Sequence, residues 1–387
     1  MAKGRKANAI RSKVNMVVFG DKFTGKSTFA SQFVYMKNPD GTPMKVLYLD
    51  PESGSIDDYV EKMLENGMDA NNLYIVYTQS LAEVREYLRM VKDGEDLPEL
   101  DDDGNDTGEI VLDGDGKPFR PDAIVIDGVS ILNLTTKQSL VEFSKRRAKV
   151  KALCQDLTSD EKFVKIEGAG LELKDYNTIN FKGQDLILDL NACGKHYVVT
   201  ARETAEKVQR EINGKSESVA TGQKIPEGFK ALDYNCKTLV RMYRDPNNYD
   251  VVHAYVVKDR TGVHKAGEDI EDPSLLDWQD IITKTANNTD VVIKNSLNDA
   301  VKKEEQMHEK EVGADSSVAD KEDSKSDDIT ELRSTVTKAL GALSPVAKNE
   351  AKKACSDAKL PTRISAIEDA AILNQILSIA KKFSSKE

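Results

Sequence analysis

The sequence predicts an α/β fold, with a mostly parallel central sheet closed by an antiparallel edge and a small all-helical module near the C-terminal end. Three observations predict it. Strand-length apolar runs alternate with stretches of helical periodicity from Val14 to Thr200. Two late runs, Thr238–Tyr243 and Val251–Val257, follow each other with only a turn-rich stretch between them, as a closing antiparallel pair does. Residues 329–383 regain a 3.6-residue period through Ile329, Leu332, Val336 and Leu340, then Ile364, Ile367, Ala371, Leu373 and Ile376.

Val14–Phe19, apolar and rich in β-branched and aromatic residues, reads as a buried strand. It runs into Gly20-Asp21-Lys22-Phe23-Thr24-Gly25-Lys26-Ser27, which fits G-x-x-x-x-G-K-[ST], the phosphate-cradling P-loop. Ser27–Tyr35 then carries helical spacing at Phe29, Phe33 and Val34. Strand, glycine loop and helix are the context this chemistry needs. Glycines let backbone N–H groups turn inward, and the helix start adds partial positive charge facing the phosphates. Gly20 to Ser27, with Thr28, are the expected nucleotide-binding residues. Lys26 would reach the β- and γ-phosphates of ATP, and the Ser27 hydroxyl would ligate Mg²⁺.

Lys45–Leu49 reads as the second strand, ending in Asp50-Pro51-Glu52, and a helix follows near Ile56–Glu65. Asn72–Thr78 is a third strand and Leu81–Val91 a further helix. Asp93 to Asp115 holds eleven acidic residues and no basic one. Within this acidic insertion, Glu109–Leu112 and Lys117–Arg120 flank Asp113-Gly114 as a small exposed hairpin would. Ala123–Ile126 is a core strand closed by Asp127. Gly183–Ala192 is helical and His196–Thr200 is another strand. From about residue 285 the chain turns polar and charged, reading as a charged helix and an acidic linker. The expected organisation is a basic arm (1–13), an ATPase core (14–284, insertion 93–121), a charged helix and linker (285–328) and a helical interaction module (329–387).

The net charge is −11, but Val301 to Asp328 alone holds ten acidic and five basic residues. Setting aside the two acidic segments leaves a mildly positive body, compatible with a polyanionic partner. No apolar run approaches a membrane span, and the basic stretch Met1–Lys13 lacks a signal-peptide core. Cys154, Cys193, Cys236 and Cys355 are far apart, which suits free thiols in a reducing cytoplasm.

A P-loop binds a nucleotide; hydrolysis also needs an acid that orients Mg²⁺ and a group that positions water. Asp127, ending Ala-Ile-Val-Ile, has the Walker B arrangement. Glu52, just past the second strand, is the candidate for polarising water. Asp50 competes with it, and either acid could instead cap the following helix.

Several blocks in order make residues 12–268 resemble the RecA-type ATPase core. They are Gly20–Ser27, Val46-Leu-Tyr-Leu-Asp50-Pro-Glu52, Ile124-Val-Ile-Asp127-Gly-Val-Ser130, Tyr197-Val-Val-Thr200-Ala-Arg202 and Val256-Val-Lys258-Asp-Arg260-Thr-Gly262. Among such ATPases the chain looks most like phage-encoded RecA-like proteins of single-strand annealing and recombination. The resemblance implies a RecA-like P-loop NTPase core and an ATPase stimulated by single-stranded DNA. It implies assembly into a ring or filament in the cytoplasm of a bacterial host. A single-strand-binding or replication protein is a further possible partner.

In RecA-type sheets the second strand lies beside the P-loop strand, and an acid at the Glu52 position activates water. Lys258 and Arg260 match a segment that reaches a neighbouring subunit's nucleotide. Where RecA-like recombinases carry an amide that senses the γ-phosphate, this chain has Ala201-Arg202-Glu203; Arg202 could contact the phosphate itself, or bind Glu203 or the sheet. The two family DNA loops fall on windows that are basic here. One holds Lys145, Arg146, Arg147, Lys149 and Lys151. The other is a loop from Glu203 to Lys230 with Lys207, Arg210, Lys215 and Lys224. Aromatics for base stacking are scarce in both, with only Phe229 at an edge. The alternatives are a helicase or helicase-loader motor on the same core, and a nucleotide-gated assembly ATPase of KaiC-like type without a DNA role.

Overall fold

The computed structural model describes residues 13–283 apart from 102–103, 156, 213–214 and 231, then 301–306, a few positions between 332 and 360, and 369–384. The expected basic arm, save Lys13, and most of the expected charged helix and linker lie outside the described residues.

The elements run β1 (Asn15–Gly20), α1 (Lys26–Ser31), β2 (Val46–Asp50), α2 (Asp57–Glu65), β3 (Leu73–Tyr77), α3 (Leu81–Asp93), β4 (Pro98–Leu100), β5 (Asp106–Ile110) and β6 (Ala123–Asp127). They continue with α4 (Val129–Leu153), α5 (Ser159–Glu167), α6 (Leu173–Cys193), β7 (His196–Ile212), β8 (Lys215–Glu227), α7 (Leu232–Asn235), β9 (Thr238–Arg244), β10 (Val252–Asp259), β11 (Asp269–Glu271) and α8 (Gln279–Thr283). The sheet order is β11-β10-β9-β1-β7-β6-β2-β3, with β8 on β7. Strands β3, β2, β6, β7, β1 and β9 are parallel, whereas β10 runs antiparallel to β9 and β8 to β7. The mostly parallel α/β sheet with an antiparallel edge is therefore the observed fold.

Its central strands are apolar throughout because helices cover both faces. Successive residues feed two separate cores. Val17, Phe19, Leu47, Leu49, Ile124 and Ile126 pack under α3, α4 and α6. Met16, Val18, Val46, Tyr48 and Val125 pack under α1, α2 and the Leu275–Ile282 segment.

Three expectations are corrected. β2 is not beside β1, since β7 and β6 lie between them; β1 instead takes β7 and β9 as its parallel neighbours. The stretch expected as a loop from Glu203 to Lys230 is largely a β-hairpin, with β7 running unbroken out of the sheet to Ile212 and β8 returning along it. Thr204, Val208, Val219, Thr221 and Ile225 are among its β-branched residues. In the acidic insertion, β5 pairs with the preceding β4. The two runs around the Asp113 turn do pair as expected, through a Leu112–Pro118 bridge and bonds from the Asp113 and Phe119 N–H groups to the Lys117 and Val111 carbonyls, but Asp113 and Phe119 are buried rather than exposed.

Contacts divide the chain into units 1–302 and 303–387. In the second, α9 (Ala370–Ser384) contributes Leu373 and Ile376 to a small apolar cluster with Val336 and Cys355. No helix among the described residues is long and apolar enough to cross a membrane.

At the amino ends of the central strands, opposite the P-loop, His196 is buried and its Nδ1 accepts the Val14 N–H at 3.1 Å. Burial first, then Lys13, Lys237 and Lys195, hold its pKa well below the ordinary histidine value. The unfolded chain therefore binds a proton below about pH 6.5 that the folded chain refuses, and stability falls as pH drops. Urea unfolding at pH 7.5 and 5.5 is expected to show this loss, up to about 1.4 kcal/mol per pH unit from this one group. His196→Gln is expected to reduce the pH dependence whatever its own cost.

Candidate nucleotide-binding site

β1 ends at Gly20, where a Cβ would lie 2.0 Å from the Met242 carbonyl oxygen of β9, so only glycine permits this pairing. The loop turns through Phe23, at φ 58° and with its ring 77% exposed, and Gly25, at φ 77°. The Phe23 carbonyl accepts Arg244 Nε at 2.8 Å, tying the loop to the end of β9. Thr24 is buried and donates to the Asp21 carbonyl at 2.9 Å, and Lys26 Nζ donates to the same carbonyl at 2.5 Å. Gly20 to Thr28 line a cavity of about 550 Å³ together with Glu52, Tyr59, Asp127 and Arg202. It opens at the carboxyl ends of the parallel strands, where open α/β sheets take ligands.

Burial lowers the Lys26 pKa, against opposing attraction from Asp127, Glu52, Asp21 and Glu203. Asp127 is only 2% exposed. Its Oδ2 accepts the Tyr48 and Ser55 hydroxyls, each at 2.6 Å, and its Oδ1 accepts Thr200 Oγ1 at 2.5 Å. Burial, then the charge of Asp127, pushes the Tyr48 phenol well above its ordinary value, so it stays a donor. Two donors saturate Oδ2, and Oδ1 keeps one lone pair for a further partner.

Geometry separates Asp50 from Glu52. Asp50 is fully buried and its carboxylate accepts the backbone N–H groups of Glu52, Ser53, Gly54 and Ser55 at 2.8–3.1 Å. It is committed to shaping this turn. The turn carries the Glu52 side chain across Gly128, where a Cβ would come within 2.5 Å of Glu52 Cγ. Glu52 thus reaches the cavity although β2 lies three strands from β1. Arg202 Nη2 binds Glu52 Oε1 at 3.1 Å rather than binding Glu203, which pairs with Arg241 and Lys224. Ser130 pins the root of the hairpin, accepting the Arg202 N–H and donating to the Glu227 carbonyl.

The remaining candidates are dispersed. Lys258 Nζ binds the Asp233 and Tyr234 carbonyls at the end of α7 and does not line the cavity of its own chain. Arg260 is exposed on the turn after β10. The first basic window is helix α4, not a loop. Lys145 pairs with Glu142 and Glu167, Arg147 with Asp175 and Glu172, and Lys151 approaches Glu172. Arg146 and Lys149 are exposed and carry no ion pair among the described residues. On the hairpin, Lys207 is exposed, Arg210 sits opposite Glu217 and Lys224 pairs with Glu203. Lys215 lies on β8, opposite Ile212. Phe229 is buried against Gly183.

Sequence reasoning missed Tyr48, Ser55, Thr200 and Gly128. A tyrosine inside an apolar strand is the one signal among them, because a buried phenol requires an acceptor.

No protein-family model matches the chain, and no curated protein matches it. Among solved structures it is similar to a KaiC-like protein from the hyperthermophilic archaeon Pyrococcus horikoshii OT3, with 15% identity over 67% of this chain and 85% of that one and a TM-score of 0.37. That degree of likeness does not bear on function.

Asp50→Ala leaves four backbone donors without their acceptor and is expected to destabilise the fold by roughly 3 kcal/mol or more in urea unfolding. Glu52→Gln breaks only a solvent-exposed ion pair and is expected to cost less than about 1 kcal/mol.

Proposed function

We propose that the chain is a Mg²⁺-dependent ATPase of RecA-like type that works as an oligomer on single-stranded DNA in recombination or strand annealing, in a phage-encoded setting. The observation that carries the ATPase reading is a single cavity holding the Gly20–Thr28 loop, Asp127 and Glu52 at the carboxyl ends of the parallel strands. In this reading the loop N–H groups and Lys26 bind the triphosphate. The Ser27 hydroxyl and the remaining lone pair of Asp127 Oδ1 are hard oxygen donors that fit Mg²⁺. Among the described residues no cluster of three or more His, Cys, Asp or Glu could hold a metal by itself. Ser27 and Asp127 would hold Mg²⁺, which would supply neutralisation of phosphate charge.

Glu52 polarises the attacking water. Arg202, bound to Glu52, is placed to move onto the γ-phosphate, because guanidinium pairs well with phosphate oxygens. Completion of the site by a neighbouring copy falls more readily to Arg260, which is exposed, than to Lys258, which is held by α7.

A second reading is a nucleotide-gated assembly ATPase that ignores DNA. The hairpin favours it, since residues 202–227 hold five basic and five acidic side chains and so lack the net positive charge of a polyanion site. ATPase rates with and without single-stranded DNA across a salt series separate the two: stimulation that fades steeply with salt supports DNA contact.

Lys26→Ala is expected to cut ATP hydrolysis by two orders of magnitude or more, and Glu52→Gln to cut it by about 10²-fold while retaining ATP binding. Wild-type turnover by Lys26→Ala in a clean preparation would sink the site assignment.

A further inference from the structure

A groove of about 700 Å³ lies next to the turn that carries Glu52, beginning at Ser53. Thr78, Gln79 and Ser80 of the β3–α3 junction line it with Thr135 and Ser139 of α4 and Lys182 of α6. Tyr77 lines it too, with 51% of its surface exposed. The one carboxylate in the lining, Glu83, accepts the Thr78 hydroxyl and the groove keeps a cation in Lys182.

The groove leads onto a helix face. At 100° per residue, Thr135, Ser139, Phe143, Arg146 and Val150 share one stripe of α4, spanning about 22 Å. Phe143 is 53% and Val150 63% exposed, and Arg146 is exposed and carries no ion pair among the described residues. Lys149 borders the stripe in the same condition; Glu142, on the same flank, is held by Lys145 at 3.4 Å. Tyr77 donates its hydroxyl to Asp57 at 2.6 Å and Phe143 carries the Arg147 guanidinium over its ring at 5.3 Å, yet both remain half exposed. Exposed rings beside cations along a polar groove are what a single-stranded polynucleotide recognises: rings stack on bases while cations meet phosphates.

We propose that the groove at the β3–α3 junction and the outer stripe of α4 together bind a single-stranded polynucleotide, with Tyr77 and Phe143 as stacking platforms and Lys182, Arg146 and Lys149 as phosphate contacts. This rests on the DNA-dependent reading above and moves the contact away from the hairpin. It also places the polymer against Ser53, one residue from Glu52, so a bound strand meets the turn that positions the water-directing acid.

The test is fluorescence anisotropy of full-length protein with labelled oligothymidylate and oligouridylate of about thirty nucleotides, over a salt series. Phe143→Ala is expected to weaken binding about tenfold. Lys182→Gln and Arg146→Gln are each expected to weaken it and to flatten the log–log salt slope by about 0.7. Lys182→Arg should restore both. The pair Lys207→Gln and Arg210→Gln on the hairpin should leave affinity within about twofold. Thermal midpoints confirm that each variant is folded, and preference between the two oligomers reports the sugar. Groove variants that bind like wild type while the hairpin pair loses binding would overturn the groove. Wild type that hydrolyses ATP and binds neither oligomer would overturn the polynucleotide reading itself.

Discussion

The carboxylate of Asp127 is the point on which this site is built. A charge with 2% exposure is tolerated only if its oxygens are met by donors. The donors come from three places: Tyr48 in β2, Ser55 in the turn after β2, and Thr200 in β7. Satisfying one buried anion therefore fixes the carboxyl ends of β2, β6 and β7 against one another. Ser55 also belongs to the turn that Asp50 organises through four backbone N–H groups. Two carboxylates thus act as structural anchors, which leaves Glu52 as the acid on this turn whose side chain crosses into the cavity.

That arrangement explains how a residue three strands from the P-loop strand enters the same cavity. The strand order separates β2 from β1, but the Asp50 turn runs back over β6. Gly128, at φ 108°, leaves the space that Glu52 occupies. A side chain at 128 would meet Glu52 and would also have to hold a left-handed backbone. The first residue after β6 is in this way part of the placement of Glu52, although it brings no functional group.

The strands of the core and the P-loop were legible because both depend on local sequence: apolar runs mark strands buried on two faces, and the glycine spacing marks the loop. The strand order was not, because adjacency depends on how crossovers pack rather than on any run of residues. The hairpin was misread as a loop for a different reason. Its polar, charged composition hid a two-residue signal, Asn213-Gly214 between stretches bearing Thr204, Val208, Val219 and Ile225, that favours a hairpin. Within the basic cluster at 145–151 the sequence could not show which cations are neutralised, because Glu167, Glu172 and Asp175, which hold Lys145 and Arg147, come later in the chain. Asp50 and Glu52 stood level on spacing, and only the backbone hydrogen bonds told them apart.

Arg202 ties the turn after β2 to the root of the hairpin. Its guanidinium forms a charged pair with Glu52 across that gap. That pair is exposed enough to be weak, worth at most about 1 kcal/mol. A guanidinium held this weakly is open to any competing anion of denser charge. β7 continues without a break from Thr200, which donates to Asp127, through Arg202 into the hairpin. Ser130, which accepts the Arg202 N–H and donates to the Glu227 carbonyl, joins both strands of the hairpin at that root.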